Sequence, residues 1–138
     1  MSSTASDWNA QLIEEYRANN GSVSAFPDGT VLLLHHKGAK SGEQRLNPLV
    51  YLRDGGRYVL FATKGGAPTN PAWYHNLKSN PNVEVELGDR RFPAVAREAT
   101  GEERDRLYAA QAARMSNFGE YERKTDRKIP VMILTPTD

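Results

Sequence analysis

The sequence predicts an α+β protein, with about six mostly antiparallel strands in a sheet or small barrel and three or four helices beside it. Three observations carry that prediction. Val31–Leu34 is continuously apolar, as expected of a strand buried on both faces. Two pairs of strand-like runs are joined by tight turn signals, Asp54-Gly55-Gly56 and Gly88-Asp89, with no helix between the partners. Helical patterns fall near the two ends and in one short insert, without the regular alternation that a parallel sheet requires.

Each element has a local reason. Ser6 or Asp7 can cap a first helix over about 6–19, and Asn19-Asn20-Gly21 stops it. Trp8, Leu12, Ile13 and Tyr16 share one stripe of that helix. The stripe suits packing on the rest of the chain. It also leaves open a lid over a site, or a peripheral contact with a membrane surface. Strands follow at 30–35, 46–53 and 57–63. Asn70-Pro71 reads as a capped start for a short helix, which Asn80-Pro81 ends. Residues 83–87 and 91–99 alternate as two further strands. Thr100-Gly-Glu-Glu103 fits a Thr-x-x-Glu capping box and opens a helix to about Met115. Residues 118–125 add another helical turn or two, and 129–136 form a last strand with Pro130 near its start.

The chain of 138 residues fits one domain, 1–138. Its 18 basic and 17 acidic side chains leave a net charge of +1, which argues against a dedicated nucleic-acid binder. With no cysteine, thiol nucleophiles, zinc–thiolate sites and iron–sulfur clusters are excluded. No apolar run approaches a membrane span, and the opening residues lack a secretion-signal layout, so the cytoplasm is the expected location.

Within this near-neutral chain, residues 37–64 hold six basic side chains (Lys37, Lys40, Arg45, Arg53, Arg57, Lys64) against two acidic ones, Glu43 and Asp54. That surplus points to an acidic small molecule. Gly38 and Gly42 allow a tight turn from which Lys40 and Arg45 project, an arrangement suited to an anion such as phosphate; a solvated hairpin turn is the plainer alternative. A second glycine loop, Lys64-Gly65-Gly66-Ala67, feeds the short helix carrying Trp73, Tyr74 and Leu77. Those aromatics fit core packing and a planar ligand equally well.

Other chemistry is missing. Lys40-Ser41 follows Ala39, where a P-loop needs glycine, and no Gly-x-Gly-x-x-Gly opens a helix. His35 and His36 are adjacent on a strand and point to opposite faces, and His75 has no histidine partner at helical spacing, so no metal is expected. Anion anchors and aromatics without an acid–base or nucleophile set fit an enzyme whose cofactor does the chemistry.

Three ordered motifs then become specific. Gly-x-Lys-Ser-Gly-x-x-Arg-x-x-Pro-Leu at 38–49, Lys-Gly-Gly with Asn-Pro-x-Trp-Tyr-x-Asn-Leu at 64–77, and Thr-Asp-Arg-x-Ile-Pro at 125–130 resemble the deazaflavin-dependent nitroreductase and quinone reductase family of actinobacteria. The resemblance covers about residues 30–136. It implies a split β-barrel like that of flavin-mononucleotide-binding reductases, and coenzyme F-420, a deazaflavin with a phosphate and an acidic tail. It implies hydride transfer to an electron-poor acceptor: a quinone, an enone or lactone, or a nitroaromatic. Lys40, Ser41 and Arg45 would grip the phosphate and tail, with Lys64 and the backbone of Gly65, Gly66 and Ala67 completing the clamp. Pro48, Leu49, Thr63 and Asn76 would line the ring, and Trp73 would support the pocket. Val50, Phe118, Tyr121, Tyr16 and Trp8 would wall the acceptor side, with Tyr121 as proton donor. Ala39 stands where relatives often carry arginine, and Val50 where an aromatic often stands. The alternatives are a flavin-mononucleotide enzyme and a barrel that binds flavin or haem without turnover. Monomer and homodimer both fit.

Overall fold

The computed structural model describes residues 4–21, 23–24 and 31–137, and leaves out the side-chain placement of residues 4–8 and 65. Its elements are α1 (Thr4–Ala18), β1 (Val31–Lys37), β2 (Gln44–Asp54), β3 (Arg57–Phe61), a 3-10 turn (Lys64–Gly66), α2 (Ala72–Ser79), β4 (Asn82–Leu87), β5 (Arg90–Ala99), α3 (Gly101–Arg114), α4 (Ser116–Lys124) and β6 (Val131–Pro136). All strand pairs are antiparallel, and the order β1-β2-β3-β6-β5-β4 closes through β4 on β1. Thr30, the first residue of the expected first strand, lies outside the described residues.

Side-chain alternation sorts each strand into two cores. Leu32 and Leu34 of β1, Tyr58 and Leu60 of β3, and Met132 and Leu134 of β6 point into the barrel, where Trp73 and Leu77 of α2 join them. The intervening Val59, Phe61, Val131 and Ile133 face outward beneath Leu107, Tyr108 and Phe118 of α3 and α4. Val31 and Leu33 face outward beneath Leu12 and Tyr16 of α1. Helices on the outer face are therefore why β1, β3 and β6 read as continuous apolar runs.

Several local expectations are corrected. β2 starts at Gln44, because Lys37 pairs with Gln44 and His36 with Arg45, so the basic loop is shorter than its sequence suggests. Asn70 does not cap α2: its Oδ1 accepts from Arg127 at 2.7 Å, and Pro71 occupies the cap position. Thr100 makes no side-chain cap on α3. Glu103, the other half of that box, takes hydrogen bonds from Arg97 (2.9 Å) and Arg57 (3.3 Å) instead. Long-range arginine partners outcompete weak local caps, because charge-assisted bonds are the stronger kind. The apolar stripe of α1 is spent on the barrel, with Leu12 and Tyr16 buried, while Gln11, Glu14, Arg17 and Ala18 face outward. No helix among the described residues is long and apolar enough to cross a membrane.

The far end of α1 is riveted to β4. Arg17 donates to both oxygens of Glu86 (2.6 and 3.2 Å), and His35 Nε2 lies 2.7 Å from the same carboxylate. The Tyr16 hydroxyl accepts from Gly88 N–H at 2.9 Å and donates to Glu86 O at 3.4 Å. Hydrogen bonding from Arg17, then from His35, holds the Glu86 carboxyl below its ordinary 4.5. A depressed carboxylate contributes stability above its unfolded pKa and loses it as pH falls through the folded value. Thermal melts from pH 7 to pH 3 should therefore show an acid loss below about pH 4.5. Glu86→Gln should be less stable at pH 7 and show a shallower acid limb; parallel curves for the two proteins would refute the assignment.

Candidate functional site

Two depressions meet on one side of the barrel. The first is an apolar cleft of about 240 Å³, walled by Leu12 of α1, Val31, Pro48, Leu49, Val50, Phe61, Thr63, Lys64, Pro71 and Trp73, and by Asn117, Phe118 and Tyr121 of α4. The second is a wider groove of about 1080 Å³, bearing the basic side chains and lined by Asn9, His36, Gly38, Ala39, Lys40, Ser41, Arg45, Asn47, Lys64, Pro71, Ala72, Trp73, His75 and Asn76. Lys64, Pro71 and Trp73 line both. Among the described residues, the lining of the groove holds three cations and no carboxylate. An elongated ligand with a flat apolar head and an anionic tail matches that pairing.

The basic turn is built by β1 and β2. Gly38 N–H donates to Glu43 O (2.9 Å), and Gly42 N–H donates to Gly38 O (3.0 Å). Gly42 has φ +71°, a left-handed conformation that disfavours other residues. A Cβ on Gly38 would sit 2.6 Å from Ser41 Oγ, so glycine is what lets the hydroxyl fold over the turn. Lys40 and Arg45 are exposed; Glu43 is the carboxylate near Arg45, at 3.7 Å, and both are more than half exposed, so the pair is weak. The arginine side chain stays available to an anion.

The second loop is held differently from expectation. Gly66 and Ala67 N–H groups are already bonded to Thr63 O (2.9 Å) and Lys64 O (3.1 Å), so they are not free for a phosphate clamp. Lys64 has φ +47° and Gly66 φ +84°. Lys64 Nζ reaches Thr69 Oγ1 at 3.1 Å, a neutral partner that leaves its charge uncompensated. A Cβ on Gly66 would lie 3.0 Å from Lys124 Cβ and 3.3 Å from Tyr121 O. Glycine here allows α4 to close onto the turn and set the height of Tyr121 above the cleft.

The structure thus gathers Lys40, Ser41, Arg45 and Lys64 in the groove, and Pro48, Leu49, Thr63, Val50, Phe118 and Tyr121 in the cleft, with Trp73 between them. Gly66 and Ala67 shape the turn without appearing in either lining, and the placement of Gly65 in the site lies outside what the structure describes. Asn76 departs from expectation: it is buried in the groove, and its amide is taken up by His36 and Ala39. Tyr16 also departs: it is 1% exposed, lines neither depression, and spends its hydroxyl on Gly88 and Glu86. Burial pushes its phenol pKa up, which fits a structural role. The Trp8 side chain lies outside the described residues.

Two residues at the site have no role in the sequence reading. Asn117 lines the cleft, and its Nδ2 donates to Tyr121 Oη at 3.0 Å, so the tyrosine oxygen accepts and its hydrogen is left to point elsewhere. The signal was present as i,i+4 spacing on a helix. Arg127 joins three points of the loop above the cleft: Thr63 O (2.8 Å), Ala67 O (2.9 Å) and Asn70 Oδ1 (2.7 Å). Its signal in the sequence is its place in the Thr-Asp-Arg-x-Ile-Pro motif at 125–130.

A family model described as F420H(2)-dependent quinone reductase matches residues 8–136. An F420H(2)-dependent quinone reductase of Mycobacterium tuberculosis is 40% identical over 125 residues, 87% of this chain and 84% of its own. A solved F420-H2 dependent reductase is 42% identical, with TM-score 0.70, covering 76% of this chain and 93% of the other. A structure described as a domain-swapped dimer is 37% identical, with TM-score 0.72, covering 95% and 99%.

Proposed function

Because the chain belongs to the F420H(2)-dependent quinone reductase family, we propose that its two adjoining depressions divide the work between cofactor and quinone. The chain is an F420H2-dependent oxidoreductase with a split-barrel fold, and coenzyme F420 is its cofactor. When bound, that cofactor supplies a hydride. The observation that carries the division is the sharing of Lys64, Pro71 and Trp73 between an apolar cleft and a basic groove with no carboxylate among its described lining residues. Lys40, Ser41, Arg45 and Lys64 hold the phosphate and acidic tail; Pro48, Leu49, Thr63 and Trp73 hold the ring. Val50, Phe118 and Tyr121 wall the acceptor side, and α1 closes one flank with Leu12.

A quinone takes up two electrons and two protons. The hydride brings both electrons and one proton, so the second proton must reach a quinone oxygen from elsewhere. In this reading the Tyr121 phenol, which lines the cleft and is far more acidic than the Thr63 hydroxyl, delivers it, with the proton restored from solvent. The apolar walls exclude water and present the acceptor in one orientation. One domain contains the whole arrangement. A cytoplasmic enzyme is part of this reading, and the domain-swapped relative supports a homodimer.

Titrating the purified protein with oxidised coenzyme F420 and, in parallel, flavin mononucleotide tests the reading through ligand fluorescence. Lys40→Ala and Lys64→Ala should each weaken F420 binding about 10- to 100-fold, the scale of one charge-assisted contact. Preference for flavin mononucleotide, or an alanine effect below twofold, would remove the proposed division of the site.

A further inference from the structure

The wall of the basic groove contains a buried polar relay that the cation inventory does not explain. His36 of β1 is 3% exposed and Asn76 of α2 is 7% exposed. His36 Nε2 lies 2.7 Å from Asn47 Oδ1 on β2. Asn76 Nδ2 lies 3.1 Å from His36 Nδ1. Asn76 Oδ1 accepts from the Ala39 backbone N–H at 2.8 Å. The far end fixes the direction of the chain, because a backbone N–H can only donate. Asn76 must therefore present its oxygen to Ala39 and its NH₂ to His36. His36 must accept at Nδ1 and donate from Nε2 to Asn47. The imidazole is neutral, with its proton on Nε2.

This arrangement has one weak state. A second proton on His36 would set an N–H at Nδ1 against the Asn76 NH₂. Turning the amide over would only move the collision to Ala39, where two donors would face each other. The groups with charge or titratable character that bear on His36 are Arg45 on β2 and His35 on its own strand, while α2 presents the neutral Asn76. Ala39 immediately precedes Lys40 and Ser41 in the turn that faces the groove.

We propose that His36 and Asn76 are positioning residues that hold the anion-binding turn through a one-directional hydrogen-bond relay, so that protonation of His36 releases the turn and weakens the grip on the cofactor's phosphate and tail. The inference rests on the cofactor placement above. Burial, aided by the Arg45 and His35 charges and opposed by the Asn47 bond, lowers the His36 pKa from its ordinary 6.5. The neutral relay is then complete at pH 7 and fails as pH falls through the lowered folded value, on the acid side of 6.5.

Two ligands separate the relay from the rest of the site: the whole cofactor, and the same deazaflavin without phosphate and tail. At pH 7.5, Asn76→Ala should weaken the whole cofactor about 5- to 10-fold, the worth of one buried hydrogen bond, and leave the truncated ligand unchanged. Between pH 7.5 and 5.0 the wild type should lose more affinity for the whole cofactor than His36→Gln, which cannot take up the proton; phosphate protonation is common to both. Amide hydrogen exchange at Ala39 in the ligand-free protein should quicken in Asn76→Ala, and in the wild type at pH 5.0 beyond the intrinsic pH effect. Equal losses for both ligands, identical acid slopes, or unchanged Ala39 protection would overturn the relay. Failure of the wild type to bind either ligand at pH 7.5 would instead remove the cofactor placement and the affinity part of this proposal, with Ala39 exchange still deciding whether the relay holds the turn.

Discussion

Arg127→Ala should cost the protein about 3 kcal/mol of stability and at least tenfold in cofactor affinity, the scale of losing several bonds to one charged group. The guanidinium is half-buried and donates to Thr63 O, Ala67 O and Asn70 Oδ1, so a single side chain closes both ends of the loop 63–70. Its neighbours make the loop dependent on that closure. Lys64 holds a left-handed backbone conformation at φ +47°, which costs a non-glycine residue about 1–2 kcal/mol. Such strain persists only where surrounding contacts over-determine it. Without Arg127 the two carbonyls lose a buried partner, Lys64 can relax, and its ammonium no longer points reliably into the groove. Arg127→Lys should rescue little, because one ammonium cannot span three acceptors in a plane. Urea unfolding and F420 titration on the same preparations measure both effects. An alanine variant with an unchanged midpoint and a Kd within twofold of wild type would show that the loop holds itself.

Arg127 also marks the limit of what could be read from the chain. The barrel strands were legible, because inward Leu32, Leu34 and Met132 and outward Val31, Leu33 and Ile133 satisfy two separate cores with one apolar run. The basic groove was legible through Lys40, Arg45 and Lys64, which stand out against a chain of net charge +1. Position-specific chemistry was less so. Asn70 and Thr100 carry good local capping signals, yet Arg127, Arg97 and Arg57 draw Asn70 and Glu103 into contacts across the fold. Asn76 has the polarity of a ligand contact, but His36, forty residues away, claims its amide. Tyr16 has the aromaticity of a pocket wall, but the Gly88 turn claims its hydroxyl. In each case the deciding partner is distant in sequence, where a local pattern has no information about it.

Tyr121→Phe should lower kcat for quinone reduction about 100-fold while leaving the Kd for F420 within twofold, if the phenol delivers the second proton. The geometry that motivates this is the Asn117 bond. Asn117 Nδ2 donates to Tyr121 Oη at 3.0 Å, occupying one lone pair and leaving the hydroxyl hydrogen to be shared with the cleft. Phe118 packs edge-on against Tyr121 at 5.5 Å between ring centres and limits its swing. Gly66 sets the helix height by admitting Tyr121 O and the Lys124 side chain close to the turn. Phenylalanine preserves this packing and deletes only the oxygen, so a loss confined to kcat reports proton delivery rather than shape. Asn117→Ala removes the orienting donor and keeps the acid, so it should cost less, about tenfold, the effect of one hydrogen bond and a looser ring. The two losses should not add in the double variant, because without Oη there is nothing for Asn117 to orient. Single-turnover reduction of a soluble quinone, in H₂O and D₂O, separates the possibilities. A solvent isotope effect present in wild type and absent in Tyr121→Phe would place the proton transfer at that hydroxyl. Unchanged turnover in Tyr121→Phe would assign the second proton to solvent and leave Tyr121 as part of the acceptor wall.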